Sequence, residues 1–303
     1  MRLLLDTNMS KKNLKVLMIG NSFSESVLAY LPQMVKADSS RLKLRLRQAY
    51  IGGCSIERHL QEYDRALADP SYRPYLTNLP LPGAPRHSKL KWEANVPEML
   101  KEDAWDIVTI QQASHQSWRP ETYGKDAERL ISIIRELAPT AEIVVHKTWS
   151  YRKDSPLLPE WHLTQHQMFQ RLSAAYDKLA SDHKFRLIPV GEAVELFRQS
   201  VQFPYSALSA TAKAKLTWPD LPPHAGDIVG RDFWQKNPDT GKMELHTDFI
   251  HLNPRGRYLQ ACVWYMFLFG RKAADVRFIP EDFDDAFCRK MAEIAEKVVS
   301  RKS

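Results

Sequence analysis

The residues Gly20-Asn21-Ser22 lie in a sequence context that could make a serine chemically reactive. An apolar run, Val16 to Ile19, precedes them, and apolar residues at helical spacing follow. This pattern predicts a buried strand, a tight turn and a helix whose first residue is Ser22. A serine in that position lies where backbone N–H groups and the positive end of the helix converge, which suits an activated nucleophile.

A base for this nucleophile is found far along the chain, in the sequence Asp248-x-x-His251. His251 could accept the proton of Ser22, and Asp248 could hold the imidazole through its Nδ1–H group. Transfer of an acyl group from an ester also needs hydrogen-bond donors for the developing oxyanion. The backbone N–H groups of Ser22 and Gly53 are the candidates, because glycine permits the close approach that a small oxyanion pocket requires.

Two other interpretations of these residues are open. Ser22 or Ser24 could act only as a helix cap, as serine often does. His246, Asp248 and His251 could instead form a metal site of two histidines and a carboxylate. Such a metal site would leave both glycine-containing turns without a role, so the sequence favours the nucleophile.

Strands and helices alternate along the chain in a way that would bring these residues together. Apolar runs predict five strands, at about 14–19, 42–50, 105–110, 142–146 and 185–190. Their alternation with helical patterns indicates a three-layer α/β/α sandwich with a mostly parallel five-stranded sheet. Ligands bind such sheets at the carboxyl ends of the strands, where the loops at Gly20, Gly52 and Gln111 begin.

Two proline-rich segments interrupt the alternation, at about 69–96 and 203–247. We interpret both as irregular insertions in one domain that spans 14–303, preceded by a flexible segment at 1–13. Pro32 lies inside the first helical pattern and should break that helix.

A basic stretch contributes to the net charge of +7, since Arg41, Lys43, Arg45 and Arg47 alternate with leucines. In a strand, this alternation puts the charges on one face. We expect a half-solvated edge strand, because charge at an edge discourages pairing between molecules. A nucleic-acid surface is the alternative, but neither a binding motif nor interleaved aromatic residues support it.

The composition is that of an ordinary globular protein, with 44% hydrophobic and 26% charged residues in a chain of 303. No apolar run reaches the length of a bilayer span. Asp6 and Asn8 interrupt the apolar N-terminus, so a cytoplasmic location is the default and a trimmed secretory signal is the alternative. The three cysteines, Cys54, Cys262 and Cys288, lack metal-like spacing and are expected to be free thiols.

With these residues in place, the sequence resembles the SGNH branch of the GDSL esterase/lipase superfamily over about 14 to 269. Members of this branch carry four sequence blocks. Ser22 matches the first block with Asn21 in place of the usual Asp, Gly53 matches the second, and Asp248 and His251 match the fourth. The resemblance implies a flavodoxin-like SGNH hydrolase fold and a Ser-His-Asp mechanism that needs no metal or organic cofactor.

The third block is not matched, because Gln111-Gln112-Ala113-Ser114-His115 stands where the family has Gly-x-Asn-Asp. The family's Asn donates its side-chain amide to the oxyanion. Gln111, or else Gln112, could substitute with the same amide on a longer arm, although His115 is nearer to the Asn position by count. The alternative is that both glutamines simply form hydrogen bonds at a strand end.

Several aromatic residues fall in or near the predicted loops at the strand ends: Trp118, Trp149, Tyr151, Trp161, Trp218 and Trp234. Aromatic faces against sugar rings would suit a carbohydrate substrate, whereas ordinary packing of long loops is the alternative. The sequence therefore predicts a serine esterase that removes a short acyl group, such as acetyl, from a carbohydrate. A catalytically weak carbohydrate-binding protein on the same fold is the alternative function.

Overall fold

The structure is a computed structural model that describes residues 12–78 and 92–301. Its strands are β1 (Asn13–Gly20), β2 (Lys43–Tyr50), β3 (Tyr75–Thr77), β4 (Trp92–Ala94), β5 (Ile107–Ile110), β6 (Glu142–Lys147), β7 (Leu187–Pro189), β8 (Val229–Lys236) and β9 (Met243–Leu252). Its helices are α1 (Ser22–Glu25), α2 (Leu31–Ala37), α3 (Ile56–Ala68), α4 (Val96–Lys101), α5 (Gly124–Leu137), α6 (Leu157–Glu160), α7 (Gln165–His183), α8 (Val190–Ser200), α9 (Ala210–Lys213), α10 (Pro254–Phe269) and α11 (Asp285–Val299). Positions 1–11 of the expected flexible segment and 79–91 of the first proline-rich segment lie outside the described residues.

A seven-stranded sheet forms the centre of the fold, in the order β4-β3-β2-β1-β5-β6-β7. The five strands from β2 to β7 in this order pair in parallel, which confirms the predicted parallel sheet. The short strands β3 and β4 add two antiparallel members at one edge, within the segment predicted to be irregular. Helices α3, α4 and α5 pack together, while α2, α8, α10 and α11 form a second group. The sheet is thus flanked by helices, as an α/β sandwich requires.

Two prolines lie in the first turn of a helix, where proline is tolerated. Pro32 lies in the first turn of α2, where a missing N–H group costs nothing, and the chain before it forms a separate short turn at Ser26–Ala29. Pro254 begins α10, whose N-cap Asn253 accepts a hydrogen bond from Gly256 N–H. Most of α10 is buried. No helix in the described ranges is long and apolar enough to cross a bilayer.

The basic strand β2 is not an edge strand, contrary to the expectation. It lies inside the sheet between β1 and β3, and the Arg47 side chain is 0% exposed. Arg47 Nη2 lies 2.8 Å from Glu102 Oε2, and Arg45 binds both Glu102 and Asp103. These acidic partners follow α4, so sequence spacing could not reveal them. The basic face of β2, which we expected to be solvated, is therefore ion-paired.

The segment predicted to be irregular at 203–247 instead contributes most of a β-hairpin. Strands β8 and β9 pair antiparallel, with Arg231 opposite Asp248, and form a separate two-stranded sheet. Only the part before β8 is largely irregular, apart from the short α9. Asp232 of β8 is 1% exposed and binds Lys213 Nζ at 2.6 Å, which fastens that irregular part to the hairpin.

The ion pair between Arg47 of β2 and Glu102 gives a stability prediction. Glu102→Gln should lower the free energy of unfolding by about 3 kcal/mol, because it removes a carboxylate that faces the buried Arg47 guanidinium. Glu98→Gln is the control, since its pair with Arg73 is 32% and 38% exposed and should contribute less than about 1 kcal/mol. Urea unfolding of both variants measures the difference, and equal losses would contradict this account of β2.

Candidate active site

The turn after β1 presents Ser22 as the first residue of α1. Asn21 caps this helix in an extended conformation, and its Oδ1 accepts a hydrogen bond from Phe23 N–H at 3.0 Å. Gly20 precedes them, and a Cβ there would lie 2.4 Å from Ser24 Oγ, so any other residue would force the Ser24 side chain to shift. Ser24 is 3% exposed and donates to the backbone oxygen of Asn21 at 3.0 Å. The alternative serine is therefore buried and already engaged, whereas Ser22 is partly exposed.

Ser22, His251 and Asp248 form one continuous line of hydrogen bonds. Ser22 Oγ lies 2.8 Å from His251 Nε2, and His251 Nδ1 lies 2.9 Å from Asp248 Oδ2. The other carboxylate oxygen of Asp248 accepts the backbone N–H groups of Ile250 at 2.9 Å and His251 at 3.1 Å. A carboxylate can only accept, so Nδ1 carries the proton and Nε2 is free to accept the Ser22 hydroxyl.

The environment of Asp248 keeps its carboxyl group ionised. Burial opposes the charged form, but the hydrogen bonds from the His251 ring and from the N–H groups of Ile250 and His251 outweigh it, and the pKa of Asp248 falls well below its usual range. A permanent negative charge behind the imidazole stabilises the imidazolium that forms when His251 takes a proton. Chemically, this arrangement can activate the Ser22 hydroxyl as a nucleophile.

Trp149, in the loop after β6, holds the two halves of this line together. Its ring stacks on Phe23, next to Ser22, with centroids 4.1 Å apart and an interplanar angle of 1°. Its Nε1–H donates to the backbone oxygen of Ile250 at 2.9 Å. Phe23 in turn meets the His251 ring edge-on at 5.8 Å. The sequence left Trp149 open as a sugar contact or as ordinary loop packing. In the structure, this fully buried residue packs against both sides of the site.

The loops after β1 and β2 carry the two backbone N–H groups that the sequence analysis named as oxyanion donors. Within the described residues, the N–H groups of Ser22 and Gly53 donate no hydrogen bond. Gly53 has φ of +62°, which glycine adopts without strain. Asn21 Nδ2 donates to the backbone oxygen of Cys54 at 3.0 Å and so ties the two loops together. Since β1 and β2 are paired to their ends, with Gly20 opposite Tyr50, both loops leave the same end of the sheet.

The structure does not bring Gln111 and Gln112 to Ser22 as oxyanion donors. Gln111 Nε2 donates to Asn21 Oδ1 at 2.7 Å, and its Oε1 lies 2.7 Å from His146 Nδ1. Gln112 Oε1 accepts from Ile56 N–H at 3.0 Å, and its Nε2 donates to a backbone carbonyl at 2.8 Å. Both side chains are buried, and their amides already form hydrogen bonds. The two glutamines therefore form hydrogen bonds at a strand end, which is the alternative given in the sequence analysis.

The metal site considered for His246, Asp248 and His251 is not assembled. The His246 ring lies against Phe233, with centroids 5.8 Å apart, and its Nε2 is 4.0 Å from Glu244. In the part of the chain that the structure describes, no group of three or more His, Cys, Asp or Glu side chains could hold a metal ion. His115, the third candidate for the oxyanion pocket, is exposed.

Three of the six aromatic residues considered for sugar binding are packed in the interior. Trp118, Trp149 and Tyr151 are buried, at 9%, 0% and 1% exposed. Trp161 is partly buried against Trp118 and Tyr151, while Trp218 is 62% exposed. Packing therefore accounts for the buried members. The three cysteines are free and buried, as expected.

Comparison with known proteins shows one matching family and several solved structures that this chain resembles. A family model described as "Domain of unknown function (DUF4886)" matches residues 15–200. A DUF4886 family protein from Bacteroides uniformis is 25% identical, with 95% of each chain covered and a TM-score of 0.69. A protein from Parabacteroides merdae proposed to be a GDSL-like lipase is 14% identical, with 87% of this chain and 98% of that chain covered and a TM-score of 0.50. One from Slackia heliotrinireducens proposed to be an SGNH hydrolase is 19% identical, with 84% and 97% covered and a TM-score of 0.48.

No curated protein matches the chain. What the structural likenesses show is the fold, a mostly parallel sheet flanked by helices. At these identities, they show nothing about activity.

The lowered pKa of Asp248 predicts a pH-dependent stability difference. Asp248→Asn should lower the free energy of unfolding by about 2 kcal/mol at pH 7, because it removes a charged acceptor of His251. A folded-state pKa below the unfolded value of about 3.9 stabilises the protein above that pH and less as pH falls. The gap between wild type and variant should therefore shrink below about pH 4. Denaturant unfolding at pH 7, 5 and 3.5 measures it, and a constant gap would contradict the shift.

Proposed function

Since the chain belongs to the DUF4886 family, whose function is unknown, we propose its activity from the site itself: it is a serine hydrolase that cleaves carboxylic esters. The observation that carries this proposal is the unbroken line from Ser22 Oγ through His251 to Asp248, with distances of 2.8 and 2.9 Å. Nucleophile, base and orienting carboxylate in hydrogen-bond contact are the geometric requirements of acyl transfer.

In the proposed mechanism, Ser22 Oγ attacks the ester carbonyl and its proton passes to His251 Nε2. Asp248 stabilises the imidazolium, and the N–H groups of Ser22 and Gly53 bind the oxyanion. When the intermediate collapses, His251 returns the proton to the departing alcohol and an acyl-serine remains. Water then attacks this ester with His251 as base, which releases the carboxylic acid and restores Ser22.

A two-donor oxyanion pocket distinguishes this site from the family pattern that the sequence resembles. Gln111 and Gln112 use their amides elsewhere, so neither glutamine donates to the oxyanion. One such donor is worth about 10² to 10³ in rate. This supports slow turnover, and it is the observation that favours the second candidate, a catalytically weak carbohydrate-binding protein.

We further propose that the acyl group is short, such as acetyl, and that a carbohydrate carries it. Two cavities beside α7, of about 390 and 540 Å³, contain none of the three residues in the hydrogen-bonded line. Neither cavity therefore serves as an acyl channel to Ser22. The proposal of a carbohydrate acceptor is supported by three aromatic residues that are partly or largely exposed, Trp161, Trp218 and Trp234.

Hydrolysis of p-nitrophenyl acetate tests the proposed esterase. Ser22→Ala should lower kcat about 10³-fold or more, because it removes the nucleophile. A fluorophosphonate should label Ser22 in the wild type and leave Ser22→Ala unlabelled, as read by peptide mass spectrometry. Ser24→Ala is the matched control and should keep most of the activity.

Two outcomes would decide against parts of this proposal. Equal rates for wild type and Ser22→Ala would remove the nucleophile. The acceptor is tested with acetylated monosaccharides against acetate esters of simple alcohols, and a carbohydrate esterase should prefer the sugars at least about tenfold in kcat/KM. Sugar binding by wild type and Ser22→Ala without hydrolysis by either would support the binding protein instead.

A further inference from the structure

A chain of side-chain hydrogen bonds runs from the turn at Ser22 into the core of the sheet. Asn21 Oδ1 accepts from Gln111 Nε2 at 2.7 Å, and Gln111 Oε1 lies 2.7 Å from His146 Nδ1. Gln111 directly follows β5 and His146 lies in β6, so the chain crosses two neighbouring strands. All three side chains are at most 2% exposed. The ester chemistry proposed above uses none of them directly.

The direction of every hydrogen bond in this chain follows from one backbone group. The N–H of Phe23 needs an acceptor, so Asn21 turns Oδ1 toward it. Gln111 must then offer Nε2 to that oxygen and Oε1 to His146. Because a carbonyl oxygen only accepts, His146 must carry its proton on Nδ1. Burial lowers the pKa of His146 to about 3, so the ring stays neutral near neutral pH and the directions do not change.

Asn21 needs this support because the helix that it caps is only four residues long. A helix of that length has almost no stability of its own, so its N-cap fixes the turn. The same carboxamide holds the Gly53 loop, through Nδ2 and the backbone oxygen of Cys54. A half-turn of the carboxamide would break both contacts and would set its NH₂ group against that of Gln111. Gln111 therefore opposes the one rotation that would release both loops.

We propose that Gln111 and His146 are positioning residues, which hold Asn21 in the orientation that aligns the N–H groups of Ser22 and Gly53. This inference rests on the proposed esterase function. It gives Gln111 a different role from the direct oxyanion donor that the sequence suggested. A change at either residue reaches the reaction only through Asn21, so it lowers kcat and leaves KM almost unchanged.

Kinetics of the full chain with p-nitrophenyl acetate test this role. Gln111→Met keeps the shape of the side chain and removes both of its hydrogen bonds, while His146→Leu removes only the donor to Gln111. Each should lower kcat about 10- to 100-fold with KM within about twofold, as small misplacements at a reacting centre do. The double variant should lose little more than Gln111→Met alone, because the two residues act in one chain. His146→Asn should recover most of the lost kcat, because the Asn Nδ2 group can take the place of the His Nδ1–H group.

His59→Leu is the matched control for His146→Leu. His59 is 1% exposed and its Nδ1 lies 2.9 Å from Tyr75 Oη, outside the Asn21 chain. The control should lower the melting temperature as His146→Leu does and leave kcat within about twofold. A similar loss of kcat in the control, or additive losses in the double variant, would indicate general destabilisation and overturn the proposal. A rise of KM alone in Gln111→Met would indicate substrate contact and overturn it too.

Crystal structures of the wild type and Gln111→Met decide the positioning role without any substrate. We expect the Asn21 carboxamide of the variant to turn or shift and to lose Phe23 N–H or the Cys54 oxygen. An unchanged Asn21 would overturn the role of Gln111 even if the esterase is real. Equal hydrolysis by wild type and Ser22→Ala would instead overturn the esterase, which these structures do not test.

Discussion

The hydrogen bond between Ser22 and His251 joins residues that are 229 positions apart, and the rest of the site holds its two ends 2.8 Å from each other. Such a contact forms only if both backbones are fixed to within a fraction of an ångström. Neither end has much local support, since Ser22 begins a four-residue helix and His251 lies near the end of a hairpin strand. Contacts with other parts of the fold therefore add to the local hydrogen bonds from Asn21 and Asp248.

Two buried groups supply that support from opposite sides. The Asn21 carboxamide fixes the turn after β1 and the loop after β2 with hydrogen bonds alone. Trp149 fixes the other side through a stacked ring on Phe23 and one hydrogen bond to Ile250. Both residues lie in loops at the carboxyl ends of parallel strands, which is where α/β folds form their sites. Contacts from the loops of the sheet thus hold the site in place, although its own helix and strand end are short.

Much of the fold could be predicted because its signals are local. Apolar runs of strand length alternate with helical patterns, and the parallel sheet follows from that alternation. The β-hairpin at β8 and β9 could not be predicted, because Trp234 and the prolines before it look like a loop, and ion pairs such as Lys213 with Asp232 fasten it in place. The interior position of β2 also depended on a distant residue, Glu102, which pairs with Arg47.

The sequence by itself determined which residues could do chemistry: Ser22 after a strand, Gly53 after the next, and Asp248 three residues before His251. Residue type and spacing along the chain carry that information directly. Only the tertiary structure decided what Gln111 and Trp149 do, since an amide or an indole can face substrate, core or another side chain equally well. Their partners lie far away in the chain, and packing in the buried layer, where every polar group must find a partner, selects among them.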